Sequence, residues 1–459
     1  MWLHNLSFRR FGQIKAKIAG LPGPIYLALV TAAAVYLRFW FIRAVPTEQL
    51  FDFATYQEIA VNVARHAGHT FRGLPIAWQG PAYPLALGHI YRWFGSCDIL
   101  TGKYFNVALS ILTLVAFYLL LRRLGSQLPS NQRPGSNKFF IYGAYTLAAF
   151  LPNFLAYNNV IGTEVFVTFL FIPILLLQVY KFNNWLRMPL LGALIGAAAL
   201  AKPFFLAYPL VAALYFWLRE RDLKKTAAML AVLLVAATAV VAPWTCRNYK
   251  KFGRFIPISY NSGYVSYINN NDANLTGSWM DLREVPAGPE LQETINVTLR
   301  RSGGYVQLAA DLEPALKKAA RRWITENPLE FVKLGFLRLK QTFFMGAWDI
   351  RSWAMNGLPS TQDPREEISF RRNLSFFHSL SDVLIYILSS CGLLYMLVHL
   401  FPVARAIFRR ELHLPDPILI PTINLAFLVF VIFAFEGQAR YNFPALPLLI
   451  IASLFFAGR

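Results

Sequence analysis

The feature that most constrains this chain is a series of apolar runs, most of them about 17 to 21 residues long, recurring from about residue 25 to residue 457. A helix of that length matches the hydrocarbon core of a bilayer and satisfies its own backbone there, so the chain reads as an all-α polytopic membrane protein. Composition agrees, with 56% of the 459 residues hydrophobic and only 15% charged. The net charge of +20 would suggest nucleic acid in a soluble protein. Here many Lys and Arg flank apolar runs, as topology and anionic headgroups require, so membrane lipids are the expected partners and nucleic acid is not. Cys97, Cys246 and Cys391 are far apart and one must stay unpaired, so neither a disulfide framework nor a zinc spacing can be read from them.

Arg9, Arg10, Lys15 and Lys17 precede the first run, at about 25 to 41, and place the N-terminus in the cytoplasm, with that run retained as an anchor. Residues 45 to 101 are too polar and too broken by Gly and Pro to cross, and read as a first outer loop with one or two interfacial helices. Spans follow at about 103 to 121, 139 to 157 and 163 to 180. The apolar stretch 189 to 218 carries Lys202 and Pro203 at its centre. Two short spans meeting at Lys202 on the outer face avoid a lysine in mid-membrane and keep the basic RERDLKK inside. A further span at about 226 to 243 completes an N-terminal transmembrane module, 1 to 243. Residues 244 to 378 then form a small extracytoplasmic α or α/β region, in which EFVKLGFLRLKQTFFMGAW (330 to 348) is an interfacial amphipathic helix. Residues 379 to 459 supply the C-terminal transmembrane helices, for about ten spans with both termini inside.

This topology rests on hydropathy and charge bias, yet it brings Asp52, Glu58, Glu164, Lys202, Arg247, Glu436 and Arg440 to the outer ends of spans. Charges beside hydrocarbon are costly and tend to be paired or functional, so substrate handling at that face is the economical explanation. A lipid or solute transporter or flippase is the competing class. It should show inverted repeats and ionisable groups near the midplane, whereas the chain has no evident repeat and its charges sit at span ends.

Six stretches then carry a resemblance. DFATYQEIA, with Asp52, Tyr56, Ile59 and Ala60, resembles the DE-x-x-Y-x-x-IA pattern that opens the first outer loop of the GT-C polyprenyl-phosphate-sugar glycosyltransferases. WQGPAYPLALG is similar to their PP-x-YP segment, GTEVFVTFL to the Ser/Thr-Glu that starts the fourth span, and ALAKPFFLAYP to Leu-x-Arg/Lys-Pro. APWTCRNYKKFGRFIPIS with GYVSYINNN looks like the opening of the second outer region, and EGQARYNFPALPLLI like the closing RY-x-x-PA-x-P signature. The stretches occur in order from about 50 to 450 and look most like the branch containing aminoarabinose and protein-mannose transferases. Phe53 stands where the second acid of the DE pair would be.

The resemblance implies an inverting transferase in a bacterial inner membrane, with its site facing the periplasm or cell exterior. Its donor is a sugar on a polyprenyl phosphate, and its acceptor is a hydroxyl or amine on a protein, lipid A, another glycolipid or a cell-wall glycan. Asp52 is the expected base, although an Asp there also suits the N-cap of the following helix. Lys202, Arg247 and Arg440 are candidates for the donor phosphate, with snorkelling to headgroups as the alternative. Tyr56, Glu58, Tyr83, Glu164, Tyr264, Asn270, Glu436 and Tyr441 are candidates for sugar or acceptor, against belt aromatics and plain ion pairing. A divalent cation is conceivable as a cofactor, but Phe53 removes one of the two carboxylates it would use, so no metal ligands are assigned.

Overall fold

The computed structural model describes residues 23–127, 136–357, 364–409 and 412–457, and the basic cluster at residues 9 to 17 lies outside them. The described residues begin with α1 (Gly23–Ala44). In the first loop α2 (Asp52–Ala64), the antiparallel pair β1 (Thr70–Phe71) and β2 (Leu74–Pro75), and α3 (Ala82–Phe94) pack together, with Thr70 opposite Pro75 and Phe71 opposite Leu74. α4 (Ile99–Gly125) returns through the bundle, followed by α5 (Ser136–Phe150), α6 (Pro152–Ala156), α7 (Thr163–Val179), α8 (Asn184–Ala201), α9 (Tyr208–Glu220) and α10 (Leu223–Phe252). The second loop region holds α11 (Ser262–Asn269), α12 (Pro289–Arg301), α13 (Glu313–Glu326) and α14 (Pro328–Phe343). It has no strand among the described residues, so the α alternative holds. The bundle closes with α15 (Pro364–Phe408), α16 (Asp416–Ala434) and α17 (Leu446–Ala457). The chain is an all-α polytopic membrane protein.

Local chemistry sets several boundaries. Asp98 caps α4 by accepting from the Leu100 amide at 3.2 Å, and Asp222 caps α10 through the Lys225 amide at 3.0 Å. α3 and α10 end on Gly95 and Gly253, each at φ 65°, the left-handed conformation that glycine adopts without penalty. Between α5 and α6 the chain bends by 47°. Pro152 has no amide proton to donate, so the ladder is interrupted there.

The expected spans lie where hydropathy put them, but fewer are long enough to cross. Among the described residues seven helices have the length and apolarity to cross a bilayer, or eight if the bent α5–α6 pair counts as one span. α7 has 17 residues and α9 only 13. At 1.5 Å per residue a 13-residue helix rises about 20 Å, short of a hydrocarbon core of roughly 30 Å. The break expected at Lys202 is present: α8 stops at Ala201, Lys202 is extended, and Pro203 opens a short turn before α9. At the opposite end of the bundle, fully buried Asp416 accepts from Tyr215 and Gln127 at 2.9 and 2.6 Å and pairs with Arg219 at 3.2 Å, tying the ends of α4, α9 and α16 together.

Two apolar cores result. One fills the bundle; the other joins Ile59, Ile76 and Trp78 of the first loop to Trp244 of α10 and to Tyr264 and Leu316 of the second region. The two loop regions therefore pack as one body over the Asp52 end. The EFVKLGF helix forms as α14, but its inner face is buried against the bundle, with Leu334 and Arg338 enclosed, while Leu329 and Phe336 remain exposed.

Candidate active site

Asp52 opens α2 directly after Phe51, whose backbone is left-handed at φ 49°, a strained conformation for an aromatic residue. Phe51, not Asp52, occupies the N-cap, and no side-chain cap forms there. The capping alternative is thus corrected. The Asp52 carboxylate instead pairs with Arg440, which is 388 residues away in sequence and donates from Nη2 to Oδ2 at 3.1 Å. About a third of the Asp52 side chain remains exposed, so the carboxylate is reachable.

Arg440 is fixed from three sides. Its Nε donates to Gln438 Oε1 at 2.9 Å, and Gln438 in turn donates to Glu436 Oε1 at 2.5 Å. The Tyr441 hydroxyl donates to the other Glu436 oxygen at 3.0 Å. The rings of Phe53, Tyr441 and Trp353 surround the guanidinium at 5.3, 5.4 and 6.0 Å, within cation–π range. Lys202 lies over Tyr441 at 5.5 Å and within the electrostatic reach of Glu164, Arg440, Asp52 and Glu436. Burial pushes the Glu436 carboxyl upward against the opposing pull of Arg440.

Tyr56 completes the wall beside Asp52. Burial, then the Asp52 and Glu164 carboxylates, hold its phenol well above the ordinary range, so it remains a proton donor. Tyr83 stands edge-on to Tyr56 at 5.9 Å and donates to Asn106 at 3.1 Å. Tyr264 is packed on Trp78 at 4.8 Å and within the reach of Glu436 and Asp52. Glu164 is buried in the first turn of α7, with Oε2 lacking a protein partner.

Three sequence candidates are held elsewhere. Arg247 donates to the carbonyls of Ile76 and His69 and to Asn248, at 2.8 to 3.0 Å, with its guanidinium over Trp244 at 4.6 Å. It fastens the hairpin to α10 with three of its five N–H donors. Glu58 accepts from the Arg72 amide at 2.6 Å and closes the same hairpin. Asn270 gives its amide to Ser266 and receives Arg338 on Oδ1 at 2.8 Å, which makes it a structural link.

Two residues escaped sequence reading. Arg338 is fully buried and donates to the carbonyls of Asn269 and Phe433, joining the second loop region to the segment that carries Glu436 and Arg440. Burial pulls its guanidinium down to about 10, and Glu436 acts in the opposite direction, so it stays charged near neutrality. An arginine on the apolar face of α14 was the available signal. Asp349 is the other: it is buried, its Oδ2 accepts from the Tyr157 hydroxyl, and its Oδ1 has no protein partner.

Burial pushes the Asp349 carboxyl up to about 6, and Glu164 adds to the shift. Its folded value lies above the unfolded one of about 3.9, so the native chain holds the proton more tightly. This contribution to stability is complete below about pH 4 and is lost as pH rises through about 6. Asp349→Asn, which still offers Tyr157 an oxygen, should flatten that part of the profile and add about 3 kcal/mol above it. Thermal unfolding between pH 4 and 8 measures this, and an unchanged slope in the variant would contradict it.

Gly80 brings the first loop against the end of α8, where an added Cβ would meet the Leu200 and Ala201 carbonyls far inside contact distance. Gly80→Ala is expected to destabilise by about 1–3 kcal/mol, read as a lowered melting temperature, and to displace the loop from Lys202.

Among the described residues no three His, Cys, Asp or Glu side chains gather as ligands. The Phe53 ring packs on Trp353 and beneath Arg440, leaving the cation there a guanidinium.

No protein-family model matches the chain, and no curated protein sequence does. Among solved structures it is similar to an Archaeoglobus fulgidus oligosaccharyltransferase tethered with an acceptor peptide containing the NVT sequon, at 13% identity and TM-score 0.46 over 94% of this chain and 49% of that one. It is also similar to the archaeal oligosaccharyltransferase AglB from Archaeoglobus fulgidus in complex with an inhibitory peptide and a dolichol-phosphate, at 12% identity and TM-score 0.45 over 94% and 50%. A third similarity is to ArnT from Cupriavidus metallidurans bound to undecaprenyl phosphate, at 13% identity and TM-score 0.44 over 94% and 78%. The chain spans about half the length of the two archaeal proteins.

Proposed function

We propose that this chain is an inverting membrane glycosyltransferase that moves a sugar from a polyprenyl-phosphate donor to a hydroxyl or amine acceptor at the Asp52 end of the bundle. The observation that carries the reading is the Asp52–Arg440 pair, a partly open carboxylate held against a guanidinium with Lys202 beside it. The six family-like stretches support the same reading. Asp52 takes the proton from the acceptor as its oxygen or nitrogen attacks the anomeric carbon from the face opposite the phosphate. The bond between that carbon and the phosphate oxygen breaks, and the polyprenyl phosphate leaves. Lys202 and Arg440 offset the charge that develops on it. Tyr56, Glu164, Tyr264, Glu436 and Tyr441 line the sugar and acceptor side. The site faces the periplasm or exterior of a bacterial inner membrane.

The test is reconstitution of the full chain in proteoliposomes with polyprenyl-phosphate sugars and candidate acceptors. Released polyprenyl phosphate and a glycosylated acceptor of inverted configuration are the expected products. Donor binding followed by movement of intact donor across the vesicle, with no sugar transferred to any acceptor class, would make the chain a transporter. Mass spectrometry of envelope glycans from cells lacking the protein identifies the acceptor.

A further inference from the structure

The ends of α1, α4 and α5 farthest from Asp52 border an open cavity of about 410 Å³, within the roughly 300–1,000 Å³ of ordinary ligand pockets. α1 starts beside it at Gly23 and rises about 33 Å before the chain turns toward Asp52. The cavity is lined by the cations Arg122 and Lys138, the phenols Tyr118 and Tyr142, and the apolar side chains Leu27 and Ile141. Arg122 and Lys138 are both exposed, and the Arg122 guanidinium lies 5.9 Å from the Tyr118 ring centroid. Among the described residues the hydroxyls of Tyr118 and Tyr142 donate to no protein acceptor.

Neither cation pairs with a carboxylate among the described residues, and composition gives the reason. Residues 1–47 and 99–163 contain no Asp or Glu, and these stretches hold all of α1, α4 and α5 and the chain between the last two. α17, which packs on α5, has none either. Snorkelling and topology account for cations at this end of the bundle. They do not account for a cavity that gathers two unpaired cations and two free hydroxyls against an apolar wall. Ile25 and Leu29 of α1 and Phe139 of α5 are exposed next to lining residues, so the cavity opens on the lipid-facing surface. Basic pockets between membrane helices in this position suit anionic lipid headgroups.

We propose that this cavity seats the phosphate headgroup of an anionic glycerophospholipid from the leaflet opposite the candidate site. Arg122 and Lys138 hold the phosphate oxygens, the hydroxyls of Tyr118 and Tyr142 donate to them, and the upper acyl chain lies on Leu27 and Ile141. The lipid ties α1 to α4 and α5, and so steadies the helix that leads into the Asp52 loop. This inference is independent of the transfer reaction, because it concerns the other end of the bundle.

Native mass spectrometry and thermal unfolding of the purified full chain test this, in detergent supplemented with phosphatidylglycerol, phosphatidylcholine or inorganic phosphate. Retained phosphatidylglycerol and a melting temperature that rises and saturates with it are expected, with neither effect from the other two additions. Arg122→Gln combined with Lys138→Gln should weaken the apparent affinity about thirtyfold. Lys224→Gln combined with Arg405→Gln removes the same charge from exposed positions at the same end of the bundle, outside the cavity, and should leave the affinity within about twofold. Equal losses in the two double variants would reduce the effect to general surface charge and overturn the proposal. Equal stabilisation by phosphatidylcholine or by inorganic phosphate would also overturn it, the first by removing charge recognition and the second by making the ligand a free anion. Should the Arg122, Lys138 variant fail to fold, Leu27→Trp decides, because it fills the cavity and keeps both cations. Undiminished phosphatidylglycerol retention by that variant is then the refuting result.

Discussion

Asp52→Asn is expected to lower turnover of the reconstituted protein by about a thousandfold while leaving donor affinity within a few-fold of wild type. General bases contribute roughly 10²- to 10⁴-fold, and asparagine cannot take the acceptor proton. It keeps the shape of the side chain and still offers an oxygen to Arg440 Nη2, which now lies 3.1 Å from Oδ2. Loss of rate with retained binding therefore separates proton transfer from positioning. Turnover by Asp52→Asn within tenfold of wild type would remove Asp52 from the base role, whatever the donor.

Arg338→Met is expected to destabilise the chain by about 4 kcal/mol and to abolish transfer through the site's geometry rather than its chemistry. The guanidinium donates to the carbonyls of Asn269, Phe433 and Ala434 and to Asn270 Oδ1. Methionine preserves much of the apolar stem but leaves these acceptors unpaired in a dry interior. Gly437 packs directly on the Arg338 backbone, and its amide reaches the Gly277 carbonyl at 3.2 Å, so the same junction holds the segment carrying Glu436 and Arg440. Arg338→Lys should recover only part of the loss, because one ammonium cannot replicate a fork that spans several acceptors. A melting temperature within 2 °C of wild type for Arg338→Met would show that the junction is held by other contacts.

The membrane class, the positions of the apolar segments and the break at Lys202 were all legible in the sequence. Hydropathy and charge bias act locally, and a lysine followed by proline in mid-run is costly in any tertiary setting. The meeting of Asp52 with Lys202 and Arg440 was legible only as a shared end of the bundle. That Arg440 pairs with Asp52 while Lys202 lies over the Tyr441 ring follows from how α2, the end of α8 and the segment before α17 pack.

Arg247, Glu58 and Asn270 mark the limit of such reading. Each has a residue type suited to binding, at the expected end of the chain's topology. The groups that hold them in place, the Ile76 and His69 carbonyls for Arg247, the Arg72 amide for Glu58 and the Arg338 guanidinium for Asn270, lie in segments that no periodic signature joins to them. Arg338 and Asp349 show the converse. Their importance comes from burial, and a sequence does not state which face of an amphipathic helix or turn the rest of the chain will cover.

By itself, the sequence determined a helical membrane protein with its ionisable groups gathered toward one end, because length, apolarity and flanking charge decide where a helix can lie in lipid. Only the tertiary structure decided that Asp52 pairs with Arg440, that Phe53 and Trp353 enclose that guanidinium, and that Arg338 joins the two halves of the site. Those outcomes depend on contacts across hundreds of residues. Their energies come from desolvating charges together, and that is set only once the helices have packed.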